Sequence, residues 1–224
     1  MRDVPSLLLS SGVFLQGLVQ GNLSREAALG LDSRLRAGLA VLQPLQPLPD
    51  HLPSQPRCQE LPREHTTLRV AGLDTTDPNT LVTNYYQAGP GSLKEHALLE
   101  TVVVMLEEPV FDTLRTQEQL GYHVNITMRN TFGVLGMSVT VNTQATKFTA
   151  DHVDERIEAF FKTFILEQLT EEKVGDAVAS LVKLKLRADV KLEEEVARNW
   201  GEIMSREYLF SRAEREVQLL GEVR

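Results

Sequence analysis

Six prolines crowd the stretch from Gln43 to Pro62: Pro44, Pro47, Pro49, Pro53, Pro56 and Pro62. Each fixes φ and removes a backbone donor, so the stretch can form neither a helix nor a central strand. It is expected to be an extended linker, 43–62, between two folded pieces. In the piece before it, 1–42, Val13 to Gln20 can form a buried strand, and Gly21-Asn22 signals a turn. Ser24 can cap a helix running to about Leu42, with Glu26 at its positive end and Ala28, Leu31, Leu35 and Leu39 along one face. One strand and one helix bury too little to stand alone, so 1–42 is expected to be the end of a truncated preceding domain.

The piece after the linker, 63–224, is richer. Thr67 to Val70 and Leu81 to Tyr86 have the β-branched and aromatic content of strands. Ser92 with Glu95 has the spacing of a capping box, and Leu98, Leu99, Val102, Val103 and Leu106 predict a broadly apolar helix that Pro109 ends. Tyr122, Val124, Ile126 and Met128 alternate with polar residues, as do Leu135, Met137, Val139 and Val141. Period two predicts strands with one covered face, joined through Arg129 to Phe132. Helical spacing then relates Val153, Ile157, Phe160, Phe161 and Phe164, next Val174, Val178, Leu181 and Leu184 behind a Thr170 cap, and next Val196, Trp200 and Ile203 within Glu193 to Tyr208. A last amphipathic segment runs to Arg224. Strands followed by packed helices predict an α+β domain with an antiparallel-rich sheet.

A formal net charge of -8 repels phosphate backbones and anionic lipid, so neither nucleic acid nor a membrane surface is an expected partner. No run of about twenty uninterrupted apolar residues is present, so no membrane span is expected. The apolar start, Leu7 to Val19, is broken by Ser10, Ser11, Gly12, Gln16 and Gly17 and does not read as a signal peptide. Cys58 is the single cysteine, so an internal disulfide is impossible and a cytoplasmic setting is expected.

The histidines, His51, His65, His96, His123 and His152, form neither an HExxH nor an inverted HxxEH pair. On the predicted helix His96 precedes Glu100 by one turn, but a hydrolytic zinc site needs three protein ligands, and the spacing offers no third. Neither a GxSxG elbow nor a phosphate-binding glycine loop occurs. The polar segment Glu108 to Tyr122 holds the residues best suited to a ligand. Arg115 has a planar fork for a carbonyl or carboxylate, Tyr122 a phenol that can bond and pack, and Gly121 allows close backbone approach. From the residues alone, Arg115 could equally cap the helix or pair with Glu118.

The run EEPVFDTLRTQEQLGY, Glu107 to Tyr122, resembles the signature of the last domain of the nardilysin and insulin-degrading-enzyme family of zinc peptidases. The likeness continues in order through Arg129-Asn130-Thr131, GVLGMSVTVNTQATK to Lys147, LTEE at Leu169 to Glu172, SLVKLK, Glu194 to Trp200, and Tyr208 to Arg212; upstream, VQGNLSREAAL is similar to the strand, turn and helix closing the family's third domain. The resemblance implies a fold like the metallohydrolase-like domains of pitrilysin-type peptidases. It implies the end of a third domain and most of a fourth that stops before its last helix. Zinc is then expected in a catalytic N-terminal half bearing HxxEH, with no metal site and no catalytic residue in this chain. The resemblance further implies that Arg115 and Tyr122 reach a bound peptide and orient its backbone near the scissile bond. The expected partners are a peptide substrate and the catalytic half, or self-association. The other expectation is a non-catalytic module that holds a peptide or protein partner.

Overall fold

The computed structural model describes residues 15–42, 57–74 and 76–222. Positions 43–56 of the expected linker, and the start of the expected strand at Val13, lie outside them. In chain order the regular elements are α1 (Arg25–Leu42), β1 (Asn79–Pro90), α2 (Leu93–Val110), β2 (His123–Thr131), β3 (Val134–Gln144), α3 (Ala150–Thr163), α4 (Glu171–Lys185), α5 (Leu192–Ser205) and α6 (Arg212–Leu220). Two π-helical stretches, Phe111–Gln117 and Phe164–Gln168, continue α2 and α3. The chain divides into one unit of Met1–Arg57 with Ala188–Phe210 and another of Cys58–Arg187 with Ser211–Arg224.

In the first unit, the Ser24 hydroxyl accepts from the Ala27 N–H at 3.2 Å, as its capping role requires. The face predicted for α1 is only partly covered: Ala28 and Leu39 are half-buried, whereas Leu31 and Leu35 are exposed. Residues 15–20 alternate between exposed and half-buried but form no strand, because no partner strand lies beside them among the described residues. Alternation sets which side chains turn inward, while a ladder needs a second backbone. Helix α5 buries Ile203, leaves about two-fifths of Trp200 exposed (38%), and ends at Arg206, whose φ of 63° breaks the helix before the expected Tyr208. The Glu202 carboxylate accepts from the Leu209 N–H at 3.0 Å and ties down the chain that leaves α5.

In the second unit, three antiparallel strands lie in the order β1-β3-β2. The register sets Val82 and Val124 opposite Val141, and Ile126 opposite Val139. The hairpin joining β2 and β3 is tighter than Arg129 to Phe132. Its turn residues Phe132 and Gly133 both have positive φ, 54° and 85°, as a two-residue type I′ connection demands. Of the predicted inward residues, Val124, Ile126, Leu135, Val139 and Val141 are buried and Met128 and Met137 half-buried, whereas Tyr122 precedes β2 and is exposed, because the strand begins only at His123. Val124, Ile126, Val139 and Val141 share one core with Leu106, Val110 and Leu114, and with Val153, Ile157, Phe160 and Phe164. A smaller core of Ala97, Leu181 and Leu220 joins α2, α4 and α6. Burying Leu181 and Leu220 contributes about 1.5–3 kcal/mol each. The expected strand over Thr67 to Val70 is absent; Leu68 and Val70 are exposed, so β-propensity without a paired neighbour leaves that stretch irregular.

The capping box at the start of α2 forms as expected: the Glu95 carboxylate accepts from the Ser92 backbone N–H at 2.7 Å and from its hydroxyl. The Thr170 hydroxyl likewise accepts from the Lys173 N–H at 3.3 Å at the head of α4. Pro109, however, does not stop α2, which runs to Val110 and continues as a π-helix to Gln117. Proline removes one donor from the ladder, and the chain regains its bonds by widening. The Glu118 N–H reaches the Thr113 carbonyl, five residues back, at 2.9 Å.

Candidate functional site

The segment expected to be a polar turn is thus an extension of a buried helix, and that decides where its side chains go. Val110 and Leu114 are wholly buried and Leu120 nearly so, which anchors the stretch to the main core. Arg156 on α3 donates twice to the Glu118 carboxylate, each at 2.7 Å, and this pairing raises the arginine's already high pKa. Glu118 is therefore not the partner of Arg115. Gln117 donates to Asp112 at 2.7 Å, and the buried Thr143 hydroxyl donates to the Leu120 carbonyl at 2.6 Å. Gln119, at φ 53°, turns the chain from the π-helix into β2.

Gly121 completes the turn for a reason different from ligand access. A Cβ there would sit 2.1 Å from the Asn142 carbonyl oxygen, so the close backbone that glycine admits is β3 itself.

With the inner side chains fixed, Arg115 and Tyr122 come together on the outer side. The Arg115 guanidinium carbon lies 5.1 Å from the Phe111 ring centre and 5.7 Å from that of Tyr122. Each contact contributes about 0.5–1 kcal/mol at an exposed position and, more usefully, holds the flexible arginine in one orientation. Tyr122 is 88% exposed and Phe111 45%. Among the described residues Arg115 forms no ion pair and no side-chain hydrogen bond, so the N–H fork is uncommitted. Phe111 was missed by sequence reasoning. Its signal is the i, i+4 spacing to Arg115, legible only once the segment is known to be helical.

Phe111 also lines a cleft of about 340 Å³ with Glu107, Glu108 and Asn125, whose buried Oδ1 has no hydrogen-bond partner. A second cleft of about 650 Å³ shares Glu108 and is bordered by Asp112, Glu118, Arg156 and Lys173. A guanidinium fork beside aromatic rings can hold a peptide carbonyl or carboxylate; the smaller cleft, which Phe111 lines but Arg115 and Tyr122 do not, carries the exposed carboxylates Glu107 and Glu108.

His96 lies elsewhere, where α2, α4 and α6 meet. Its Nδ1 is 2.9 Å from Glu216 Oε1 and 3.9 Å from Glu100 Oε2, so α6 supplies the third ligating group that the spacing did not offer. The Lys185 ammonium stands 2.5 Å from Glu100 Oε2 and 2.6 Å from Glu216 Oε2. Burial alone would raise the pKa of Glu216, but His96 and Lys185 outweigh it and hold the carboxyl below the usual glutamate range.

Comparison with known proteins is consistent with this architecture. A family model described as PQQ synthase PqqF-like, C-terminal lobe domain 4, matches residues 101–200. Nardilysin of Homo sapiens is 44% identical over 212 residues, covering 94% of this chain and 18% of nardilysin. Insulin-degrading enzyme of Homo sapiens is 32% identical over 222 residues, covering 97% of this chain and 21% of that enzyme. The chain thus spans about a fifth of the length of these curated relatives. The crystal structure of pitrilysin superposes with a TM-score of 0.52 at 19% identity, over 65% of this chain and 16% of pitrilysin, a likeness of fold.

Proposed function

Because this chain is a nardilysin- and insulin-degrading-enzyme-like C-terminal region with the fold of pitrilysin-family peptidase domains, we propose that it is the substrate-binding part of a zinc metalloendopeptidase acting on peptides. The chain is catalytically incomplete alone, and the zinc belongs to a separate N-terminal half. The observation that carries the reading is Arg115, packed against Phe111 and Tyr122 with its N–H groups uncommitted. Such a fork donates to a substrate carbonyl at no cost of reorganisation, and its charge favours the oxygen as it becomes more negative. The Tyr122 hydroxyl donates beside it and the ring covers one side of the peptide. Together they orient the backbone, which is the part of catalysis that positioning supplies. Glu107 and Glu108 favour a basic residue next to the bound segment.

The test combines the purified chain with a catalytic half bearing HxxEH and measures cleavage of a dibasic peptide. The chain alone is expected to give no turnover, and the mixture to give turnover that Arg115→Ala lowers by about 10–100-fold and Tyr122→Phe by a smaller factor, with unfolding midpoints little changed. Peptide binding without turnover in the mixture would instead mark a non-catalytic binding module. Turnover unchanged in both variants would remove Arg115 and Tyr122 from the site.

A further inference from the structure

The sheet β1-β3-β2 has two outer strands, and the chain treats them differently. An outer strand presents a row of unpaired N–H and C=O groups, which soluble proteins block with bulges, prolines or covering chain. β1 has each of these. Its register shifts between Gln87 and Gly89, and it ends at Pro90. Its Gln87 side chain donates to the Gln59 carbonyl at 3.1 Å and accepts from the Leu61 N–H at 2.9 Å, which holds irregular chain against the strand. β2 has neither bulge nor proline, and its pairing with β3 runs without a shift from His123 to Thr131. Among the described residues no strand pairs with its outer edge. That strand forms one side of the smaller cleft through Val124, Asn125 and Ile126; Glu107 and Glu108 on α2, with Phe111 just beyond, form the other.

We propose that an extended peptide carrying a basic side chain docks in this groove as a fourth strand on β2. Main-chain bonds at the ordinary strand spacing of about 4.8 Å supply affinity, and the helix wall reads alternate side chains. Glu107 and Glu108 are exposed and form no ion pair among the described residues, so a lysine or arginine projecting toward α2 meets charge of the opposite sign. The aliphatic stem of that residue packs on the exposed part of Phe111. A second copy of the chain is the poorer occupant, because it brings the same net charge of -8 and the same carboxylates to the edge. β2 begins directly after Tyr122, so a peptide running past the head of the strand meets Tyr122 and Arg115. The choice of a peptide as ligand rests on the reading proposed for those two residues, to which strand pairing adds a fixed register.

The probe is a dibasic peptide, titrated by calorimetry into the full chain beside two analogues N-methylated at alternate residues, one at odd and one at even positions. Only every second N–H of an added strand points to its neighbour. One analogue should therefore bind at least about 10-fold more weakly than the unmodified peptide, and the other within about 2-fold of it. The change lies in the peptide, so folding of the chain is not at stake. Glu107→Lys/Glu108→Lys, at two exposed positions, should weaken the unmodified peptide by about 3–10-fold, and unchanged affinity would overturn the recognition of a basic side chain. Equal binding of the two analogues overturns edge pairing, as does an unmodified peptide that fails to bind. If the analogues bind equally while Arg115→Ala still weakens the peptide, edge pairing falls and the reading of Arg115 stands. Alternation with a neutral Arg115→Ala keeps edge pairing and removes Arg115. Dimers that the peptide does not dissociate in sedimentation would make a second copy the occupant and overturn the proposal.

Discussion

Replacing Lys185 by methionine is expected to lower stability by about 3–5 kcal/mol, the usual cost of stranding a buried charge. The ammonium sits 2.5–2.6 Å from two carboxylates, and Glu216 has almost no solvent to turn to. Methionine keeps the volume and removes the charge, so the loss reports electrostatics rather than a cavity. Lys185→Met/Glu100→Met/Glu216→Met, which removes the carboxylates as well, should recover most of that stability, because an apolar cluster of similar volume carries no desolvation cost. Urea unfolding of the two variants checks this. A single substitution costing under about 1 kcal/mol would mean that water already screens the cluster.

Leu114→Ala is expected to cost about 2–5 kcal/mol and to loosen the segment that presents Arg115. Leu114 is wholly buried, in one core with Val110 and Leu120. It lies in the π-helix immediately before Arg115, so the cavity its truncation leaves is directly beneath the arginine's backbone. The variant should therefore lose stability in urea and peptide affinity together, with affinity still reduced when measured where the variant is fully folded. Full affinity in the folded variant would separate the core from the site.

How much of this the sequence carried differs from element to element. The inward residues Val124, Ile126, Val139 and Val141 were legible because period two needs only local information, but the open second face expected of β3 is not found: Ser138 and Thr143 are buried too, since this central strand is flanked on both sides. The Ser92–Glu95 box and the Thr170 cap were legible on the same local grounds. Pro109 misled because its rule describes the i→i+4 ladder, and the chain moved to i→i+5 instead. That single change hid Phe111, which is a neighbour of Arg115 only on a helix. Thr67 to Val70 misled in the opposite way: propensity was present and a partner was not. The pairing of His96 with Glu216 lay beyond any local pattern, since three helices must pack on Ala97, Leu181 and Leu220 before those groups meet. Of the site itself, Arg115 and Tyr122 were visible as suitable chemistry, and the cation–π packing that orients them emerges only from the fold.

The role proposed for Arg115 is to hold a peptide, and a binding titration reaches it without any catalytic partner. Calorimetry of a dibasic peptide against the native chain, Arg115→Ala and Tyr122→Ala should give saturable binding to the native chain. Arg115→Ala should weaken it by about 10-fold or more, the worth of a charge-assisted hydrogen bond. Equal affinity for all three folded chains, or no binding to the native chain at any attainable concentration, would contradict it.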